Sequence, residues 1–311
     1  MAPVIYTIGE TVLDIIFREG KPVGAIPGGS MLNSSISLAR SGLEVQFISE
    51  YGNDQPGAII HEFLAGNNVG TRFINRYDDG KTALALAFLD KDRNASYSFH
   101  TSYPRVRMKE PLPETKKGDL ILFGSIYSIT QGLDGKMLKW IHKAKSAGTI
   151  IVYDPNFRKS HVHLLETVLP WICRNIEAAD IVRGSDEDFH TIFGLDNPDD
   201  VHAKLASLGC RNLIITRNSK SVVSWFGDHK VTVNIPPVKP LVSTIGAGDN
   251  FNAGIIYALV NNGMIPDMNG IASNDISKFK NILGTAVAFA AEVCKSVDNY
   301  ISPGFVKTMK Q

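Results

Sequence analysis

Residues 243–254 read STIGAGDNFNAG, and a helical pattern, NFNAGIIYALVNNG, continues from there to residue 263. Gly246 and Gly248 therefore form a glycine turn that opens a helix. Backbone N–H groups at such a turn can hold a phosphate group, and the missing Cβ atoms let that group approach closely. The turn contains no lysine, but it does contain Asp249, a carboxylate at the place where an anion is expected to bind.

Asp249 is open to two interpretations. The backbone of Gly246, Ala247 and Gly248 can gather the charge of a transferred phosphoryl group, while the carboxylate faces an attacking hydroxyl and accepts its proton. Alternatively, Asp249 is only an acid in the first turn of a helix, a position that helices favour. The chemistry of the loop is compatible with both.

The rest of the chain alternates between continuous apolar runs and helical patterns that end at glycines. The apolar runs are typical of parallel strands covered on both faces, and the glycines suit helix C-termini. This alternation predicts an α/β sandwich with a largely parallel sheet. The predicted strands are residues 4–9, 45–50, 120–125, 149–154, 181–184 and 212–217, and the helical patterns end at Gly42, Gly66, Gly148 and Gly209.

Two segments break this alternation. Residues 12–29 read as two strands around a turn at Arg18–Lys21, and residues 81–102 read as a hairpin whose turn is DKDRN. Since no helical pattern accompanies them, we expect a small separate sheet, which needs a cleft or a second subunit to cover one face. The chain is long enough for one large domain or two small ones, and the prediction is a single domain over residues 1–311 in which this sheet is a lid and a candidate homodimer contact.

The composition is that of an ordinary globular protein, with 44% hydrophobic and 20% charged residues. The formal net charge of +1 gives no electrostatic reason to expect nucleic acid or a membrane as a partner. MAPVIYTIGE lacks the pattern of a signal peptide, and the apolar run 282–294 contains Glu292 and reads as a buried helix. Three widely spaced cysteines fit a reducing compartment, so we expect a cytoplasmic protein.

STIGAGDNFNAG resembles the signature Asp-Thr-x-Gly-Ala-Gly-Asp-x-Phe-x-Ala-Gly of the ribokinase-like (pfkB-type) carbohydrate kinases at every position except the first. A second family signature resembles GGSMLNSSISLARSG, through Gly28, Gly29 and Asn33, and a third resembles GETVLD, which ends at Asp14. DPNFR, residues 154–158, is similar to a segment of the fructokinase and 2-keto-3-deoxygluconate kinase branches. The elements stand in family order and together span nearly the whole chain, which makes the resemblance specific.

This resemblance implies a ribokinase-like three-layer α/β/α sandwich that transfers a phosphoryl group from ATP, with Mg²⁺, to a sugar hydroxyl. It implies that Asp249 is the general base and that Gly246, Ala247 and Gly248 supply the anion hole. Carboxylate, amide and backbone groups that suit sugar hydroxyls are implied at further positions. These implied sugar-binding residues are Asp14, Gly28, Gly29, Asn33, Asn156 and Arg158.

Each of these positions also has a plainer interpretation. Without the resemblance, Asn33 reads as a polar residue on an exposed helix face, and Asp14 reads as an acid at a strand end. Asn156 and Arg158 follow the strand 149–154, where ligands of open α/β sheets bind, but they also fit a turn with an outward arginine.

The sequence departs from the family pattern at the nucleotide side. The usual Asn-x-x-Glu motif, linked to magnesium, is SDED, so Ser185 and Asp188 take its two end positions. The Thr-x-Gly-x-x-Gly nucleotide loop is TRNSKS, which begins at Thr216 and has Asn218 and Ser221 instead of the glycines. Asparagine tolerates a positive φ fairly well, and serine is less suited to one.

A further departure concerns monovalent cations. Ser243 replaces an aspartate that relatives associate with binding of a cation such as K⁺.

The resemblance favours fructose as the acceptor, because of GETVLD and DPNFR. A 2-keto-3-deoxy sugar acid is the next choice, followed by ribose or a nucleoside. The acid-binding branch generally has an arginine in the second lid strand, where this chain has His100. Two other classes stay open: a catalytically inactive regulatory protein, suggested by TRNSKS, and a dinucleotide-binding oxidoreductase, which the lack of an early G-x-G-x-x-G disfavours.

Overall fold

The computed structural model describes residues 2–89, 95–261 and 276–309, and the predicted turn DKDRN lies outside them. The strands of the described chain are β1 (Val4–Ile8), β2 (Val12–Arg18), β3 (Lys21–Gly28), β4 (Glu44–Gly52), β5 (Ile74–Tyr77), β6 (Lys81–Leu89), β7 (Ala95–Ser102), β8 (Leu120–Gly124), β9 (Ile150–Asp154), β10 (Ile181–Ser185), β11 (Leu213–Arg217), β12 (Ser221–Phe226) and β13 (His229–Asn234). Its α-helices are α1 (Ser30–Arg40), α2 (Gln55–Gly66), α3 (Asp134–Ser146), α4 (Leu165–Ala178), α5 (Asp186–Phe193), α6 (Pro198–Ser207), α7 (Ala247–Asn261), α8 (Ile276–Val293) and α9 (Phe305–Met309).

A nine-stranded central sheet has the order β13-β12-β11-β10-β9-β8-β1-β4-β5. Neighbouring strands are parallel from β11 to β5, and β12 and β13 add an antiparallel edge. Every residue of β8 and β9 is buried, as expected for continuous apolar strands that are covered on both faces. Every strand predicted for the sheet is present, so the largely parallel α/β architecture is confirmed.

Helices cover both faces of this sheet. Buried residues of α1, α2, α7 and α8 belong to one apolar core, and those of α3, α4, α5 and α6 belong to a second core on the other face. Positive φ angles follow the helices where terminating glycines were predicted, with 91° at Gly42, 86° at Gly148 and 95° at Gly209. No helix in the described ranges combines the length and apolar character needed to cross a membrane.

The strands predicted to break the alternation form a separate four-stranded sheet in the order β3-β2-β6-β7. The turn between β2 and β3 lies where it was predicted and has positive φ angles of 51° at Glu19 and 75° at Gly20. One cross-strand row of this small sheet pairs Asp14 with Ala85 and Ala85 with Phe99. The small sheet therefore presents a carboxylate and an aromatic ring on one face, separated by a small side chain.

The contact between α7 and α8 is close because a glycine lies in it. A Cβ atom at Gly254 would lie 2.6 Å from the Cα of Ala286 and 3.1 Å from the Cβ of Phe289. The neighbouring Gly284 of α8 is exposed, and a Cβ atom there would meet nothing within 4 Å. The two helices thus contain one glycine with no room for a side chain and one with ample room.

We expect Gly254→Ala to destabilise the protein, because the added methyl group overlaps backbone atoms and overpacking costs roughly 1–3 kcal/mol. Gly284→Ala is the matched control, and it should stabilise by about 0.4–1 kcal/mol, since alanine only restricts the unfolded chain there. Thermal melts followed by circular dichroism measure both variants. Equal midpoints for the two variants would contradict the close approach of the helices.

Candidate active site

The carboxyl ends of β9, β10 and β11 meet the amino end of α7 at one edge of the central sheet. Asp154 and Ser185 are the last residues of β9 and β10, and Thr216 is the last but one of β11. Ligands of open α/β sheets bind at this edge, beyond the carboxyl ends of the strands. The predicted motifs are thus brought to the place where a cleft is expected.

Asp249 is buried at the start of α7 and is held by α1. Its Oδ2 accepts a hydrogen bond of 2.8 Å from Nδ2 of Asn33, and its backbone oxygen accepts one of 2.8 Å from the hydroxyl of Ser34. Asn33 is only 5% exposed, so the interpretation of that residue as part of an exposed helix face is wrong. Asn33 and Asp249, which belong to two different family signatures of the sequence, are therefore in direct contact.

The ionisation of Asp249 is tuned by its surroundings. Burial raises the pKa of Asp249 to about 6, and it outweighs the lowering by the Asn33 hydrogen bond and by the charge of Arg158. Of the other charges, Asp154 raises this pKa and Arg183 lowers it. A carboxyl group with such a pKa is ionised at neutral pH and still basic enough to accept a proton efficiently.

The glycine turn at the start of α7 leaves little room for a side chain at either glycine. Gly246 has a φ of 78°, and a Cβ atom there would lie 2.9 Å from the backbone oxygen of Asn299. A Cβ atom at Gly248 would lie 3.0 Å from Nη1 of Arg183. Asn250 secures the turn, since its Nδ2 donates to the backbone oxygens of Gly246 at 2.7 Å and Asn299 at 2.8 Å. The turn is therefore built to present backbone amides at the amino end of a long helix.

The small sheet brings a second carboxylate to the region. A Cβ atom at Gly28 would collide with the carboxylate of Asp14, and one at Gly29, whose φ is 130°, would lie 2.5 Å from the backbone oxygen of Glu10. Burial raises the pKa of Asp14 to about 6. The glycine pair is therefore needed for β2 and β3 to approach the start of α1.

DPNFR forms the turn that leaves β9. Asn156 takes a φ of 39°, and its N–H donates to Oδ1 of Asp154 at 3.0 Å. Burial raises the pKa of both Asp249 and Tyr97, and the charge of the exposed Arg158 opposes part of that rise in each. The charge of this guanidinium therefore reaches Asp249 beside the glycine turn and Tyr97 of the small sheet.

SDED caps α5. The hydroxyl of Ser185 accepts from the N–H of Asp188 at 3.1 Å, and Oδ2 of Asp188 accepts from the N–H and the hydroxyl of Ser185 at 2.7 and 2.6 Å. Burial and the nearby Asp154 raise the pKa of Asp188. In the described parts of the chain, no group of three histidine, cysteine or acidic residues is arranged to hold a metal ion. Asp188 is therefore a single buried carboxylate whose Oδ2 is engaged by Ser185, and its assignment to Mg²⁺ stays a prediction.

TRNSKS is the hairpin between β11 and β12. Asn218 takes a φ of 49°, a conformation that asparagine tolerates. Ser221 pairs with Arg217 as the first residue of β12 and is not among the residues with positive φ. The expectation that serine suits its position poorly is wrong, because this position has ordinary strand backbone.

Two features of the site escaped sequence reasoning. Arg183 interrupts the buried run IVRG of β10, and that charge was the available signal. In the segment before the glycine turn, the apolar side chains Leu241, Val242 and Ile245 are 62%, 41% and 50% exposed. No periodicity in the sequence distinguishes Arg183 from a core residue of the strand, or the apolar segment before the glycine turn from an ordinary loop.

Comparison with known proteins identifies the family of the chain. The pfkB family carbohydrate kinase model matches residues 4–297. The chain is 28% identical over 275 residues to a probable chloroplastic fructokinase-6 of Arabidopsis thaliana, in a match that covers 84% of this chain and 71% of that protein.

Solved structures share the fold. The aminoimidazole riboside kinase of Salmonella enterica, complexed with aminoimidazole riboside and an ATP analogue, has a TM-score of 0.82 at 20% identity, over 99% of this chain and 100% of that one. A fructokinase double mutant of Vibrio cholerae O395 in a fructose-, ADP- and potassium-bound form has a TM-score of 0.80 at 20% identity, over 96% of this chain and 94% of that one. The predicted ribokinase-like α/β fold is thereby confirmed.

The raised pKa of Asp249 predicts a pH-dependent effect on stability. The stability that this carboxyl provides is complete below its unfolded-state pKa of about 4 and is lost as the pH rises through about 6. Asp249→Asn, which can still accept the Asn33 hydrogen bond, should therefore gain thermal stability relative to the wild type as the pH rises from about 5 to about 7, the range in which the folded wild type loses this proton.

Asp54→Asn is the control for this series. Burial opposes ionisation of Asp54, but hydrogen bonds from Thr82 and Gly57 leave its pKa below the ordinary value. This variant should be less stable than the wild type by a constant amount over the same pH range, because Asp54 stays ionised throughout. A difference in melting temperature between Asp249→Asn and the wild type that stays constant with pH would contradict the raised pKa of Asp249.

Proposed function

Since the chain belongs to the pfkB family of carbohydrate kinases, we propose that it transfers the γ-phosphoryl group of ATP to a primary hydroxyl of fructose. The observation that carries this proposal is the buried carboxylate of Asp249 beside the glycine turn at the start of α7. The fructokinases among its relatives support fructose as the acceptor.

The turn of Gly246, Ala247 and Gly248 is the proposed anion hole. Its amides lie at the amino end of α7, where the helix dipole favours negative charge. ATP supplies the phosphoryl group, and Mg²⁺, which we assign to Asp188, neutralises phosphate charge. The protein contributes fixed amides that stabilise the charge of the transition state without reorganisation.

Asp249 is the proposed general base. Its hydrogen bond from Asn33 fixes the carboxylate, and its raised pKa of about 6 leaves it ionised and basic at neutral pH. The charge on Asp249 therefore faces the attacking hydroxyl rather than the phosphate. Arg158, which acts on the same space, is proposed to offset the negative charge that gathers there.

The acceptor sugar is proposed to lie between α1 and the small sheet. The Asp14 carboxylate and the Asn33 amide pair with neighbouring hydroxyls, and the bare backbone of Gly28 and Gly29 lets the ring approach. Asn156, in the turn after β9, is a further proposed contact of the sugar. Closure of the small sheet as a lid would exclude water from the transfer.

The nucleotide is proposed to extend over the hairpin between β11 and β12, past Ser185. Thr216, Asn218 and Ser221 are the proposed contacts of this hairpin, and the exposed apolar side chains of Leu241 and Ile245 suit a nucleobase. Ser243 is proposed to bind K⁺ weakly, since a hydroxyl group lacks the charge of an aspartate.

A nucleoside is the second candidate acceptor. Phe99 is 63% exposed and Tyr97 is 47% exposed, and their rings stack on each other along β7. Phe99 belongs to the same cross-strand row as Asp14. Such rings can stack on a flat base. The keto-deoxy sugar acid is disfavoured, because the exposed side chain of His100 stands where that branch has an arginine.

A sugar panel with Mg-ATP tests the proposal. We expect fructose to turn over best, ahead of ribose, nucleosides and the keto-deoxy acid. Asp249→Asn should lower kcat by about 10²–10⁴, the usual cost of losing a general base, with sugar affinity by calorimetry little changed. K⁺ should stimulate little over a bulky organic cation at equal ionic strength.

The outcomes of this panel separate the alternatives. Faster turnover of a nucleoside would replace fructose and leave the kinase mechanism standing. Normal turnover by Asp249→Asn would show that Asp249 is not the general base and favour its interpretation as an acid in the first turn of a helix. Absence of turnover with every sugar would favour the inactive regulatory protein.

We also propose a homodimer through the small sheet, in a cytosolic setting that suits the three free cysteines. Phe88 is 41% exposed and stacks on Phe17, on the face of the small sheet opposite to Tyr97 and Phe99, and it is the apolar surface that such a contact would cover. Light scattering should give twice the mass of 34.0 kDa. A Phe88→Asp variant should shift the protein towards the monomer, and a monomeric wild type would refute the dimer.

A further inference from the structure

Arg183 is a buried cation that the proposed reaction does not yet use. Its side chain is 8% exposed and lies on the face of the central sheet that α7 covers. Nη1 donates to Oδ2 of Asp154 at 2.9 Å, and Nη2 donates to the hydroxyl of Thr216 at 2.7 Å. The guanidinium therefore joins the carboxyl ends of three adjacent strands, β9, β10 and β11.

The same cluster continues into α7. Nδ2 of Asn252, one turn after Asp249, donates to Oδ2 of Asp154 at 2.6 Å. The guanidinium lies 5.3 Å from the ring centroid of Phe251, on the same helix. Arg183 thus contacts the first turn of the helix that carries the glycine turn and the proposed base.

Arg183 also lies beside the glycine turn itself. The space beside Gly248, where a Cβ atom would stand, is 3.0 Å from Nη1 and 3.4 Å from Nη2 of Arg183. Because two of its nitrogens are fixed by Asp154 and Thr216, the guanidinium is a rigid support for this turn. A flexible side chain at the same place would leave the amides of the turn free to shift.

The amino end of α7 does not by itself favour this charge. The amino end of a helix carries a partial positive charge and favours anions, so a guanidinium beneath the start of α7 adds like charge. Buried carboxyl groups offset it, because the guanidinium binds Asp154 and its charge opposes the rise that burial causes in the pKa of Asp188 and Asp249. The same guanidinium stands beside the glycine turn, where a phosphate group would add a further negative charge.

We propose that Arg183 is a positioning residue for phosphoryl transfer, which holds the Gly248 amide in place and adds a fixed positive charge behind the anion hole. This role rests on the proposed function of the glycine turn and Asp249. It does not require Arg183 to touch the substrate.

Arg183 also acts on the proposed base. The groups that face Asp249 are Asn33 of α1, Arg158 after β9, Asp154 of β9 and Arg183 of β10, and the last of these lowers the pKa of Asp249. Removing the guanidinium alone should therefore move the acid limb of the kcat/KM profile to higher pH. A purely structural role would change stability and leave this limb in place.

The test compares Arg183→Met with Arg183→Lys and with the double variant Arg183→Met/Asp154→Asn. Arg183→Met should lower kcat roughly 10- to 100-fold, since small displacements of a transfer site have costs of this size. Sugar KM should change little, because no sugar contact is lost. Arg183→Lys should fall between the wild type and Arg183→Met, since it keeps the charge and loses the two-point fixation.

The double variant separates the role in catalysis from the neutralisation of Asp154. It removes one charge that lowers the pKa of Asp249 and one that raises it, so the acid limb should return towards that of the wild type while kcat stays low. If Arg183→Met does not fold, the kinetics are measured on the double variant, which neutralises both members of the Arg183–Asp154 pair and leaves neither charge unpaired. Recovery of wild-type kcat in the double variant would overturn the proposal.

Two further variants complete the design. Arg40→Met removes a half-buried arginine that binds Asn67 and the backbone of Ile301, away from the site, and should leave kcat and the pH profile unchanged. Asp249→Asn distinguishes a failure of the role proposed for Arg183 from a failure of the proposed active site. If Asp249→Asn is inactive and folded Arg183→Met has wild-type kcat and an unchanged acid limb, only the role of Arg183 is wrong. If Asp249→Asn is fully active, the proposed site itself is wrong.

Discussion

The hydrogen-bonded contact between the amino ends of α1 and α7 is the interaction on which the site depends. Asn33 and Ser34 of α1 bind the side chain and backbone of Asp249, and Ser37 binds Asn250 one residue further along α7. These groups are buried, and a buried polar group that loses its partner costs roughly 1–3 kcal/mol. The partners therefore fix two helices, far apart in sequence, at one distance and rotation.

Glycines make this contact possible. Gly28 and Gly29 let the small sheet approach the start of α1, and Gly246 and Gly248 let the turn before α7 approach Asn299 and Arg183. Side chains at these positions would displace either the carboxylates or the backbone amides. The proposed acceptor site and the proposed anion hole are thus two sides of one tightly packed junction.

Charge in this junction is concentrated, and the carboxyl groups outnumber the cations. Asp154, Asp188 and Asp249 interact with the buried guanidinium of Arg183, and the exposed Arg158 also acts on Asp249. Burial is the main cause of the raised pKa values of Asp14, Asp188 and Asp249, because ionised groups are poorly solvated there. Ionisation of these buried groups therefore lowers the stability of the folded protein, and it leaves Asp14 and Asp249 more basic than exposed carboxylates.

The sequence by itself determined the fold class, the small sheet and the residues of the glycine turn, because strand runs, helix ends and glycine turns are local patterns that the backbone imposes. The tertiary structure alone decided that Asn33 is buried against Asp249, since no local pattern encodes a contact between residues 216 positions apart. It also decided the place of Arg183, which reads in sequence as a charge in an apolar strand. Only the packing of β9, β10 and β11 under α7 turns that charge towards Asp154 and Gly248, because the partners come from separate segments of the chain.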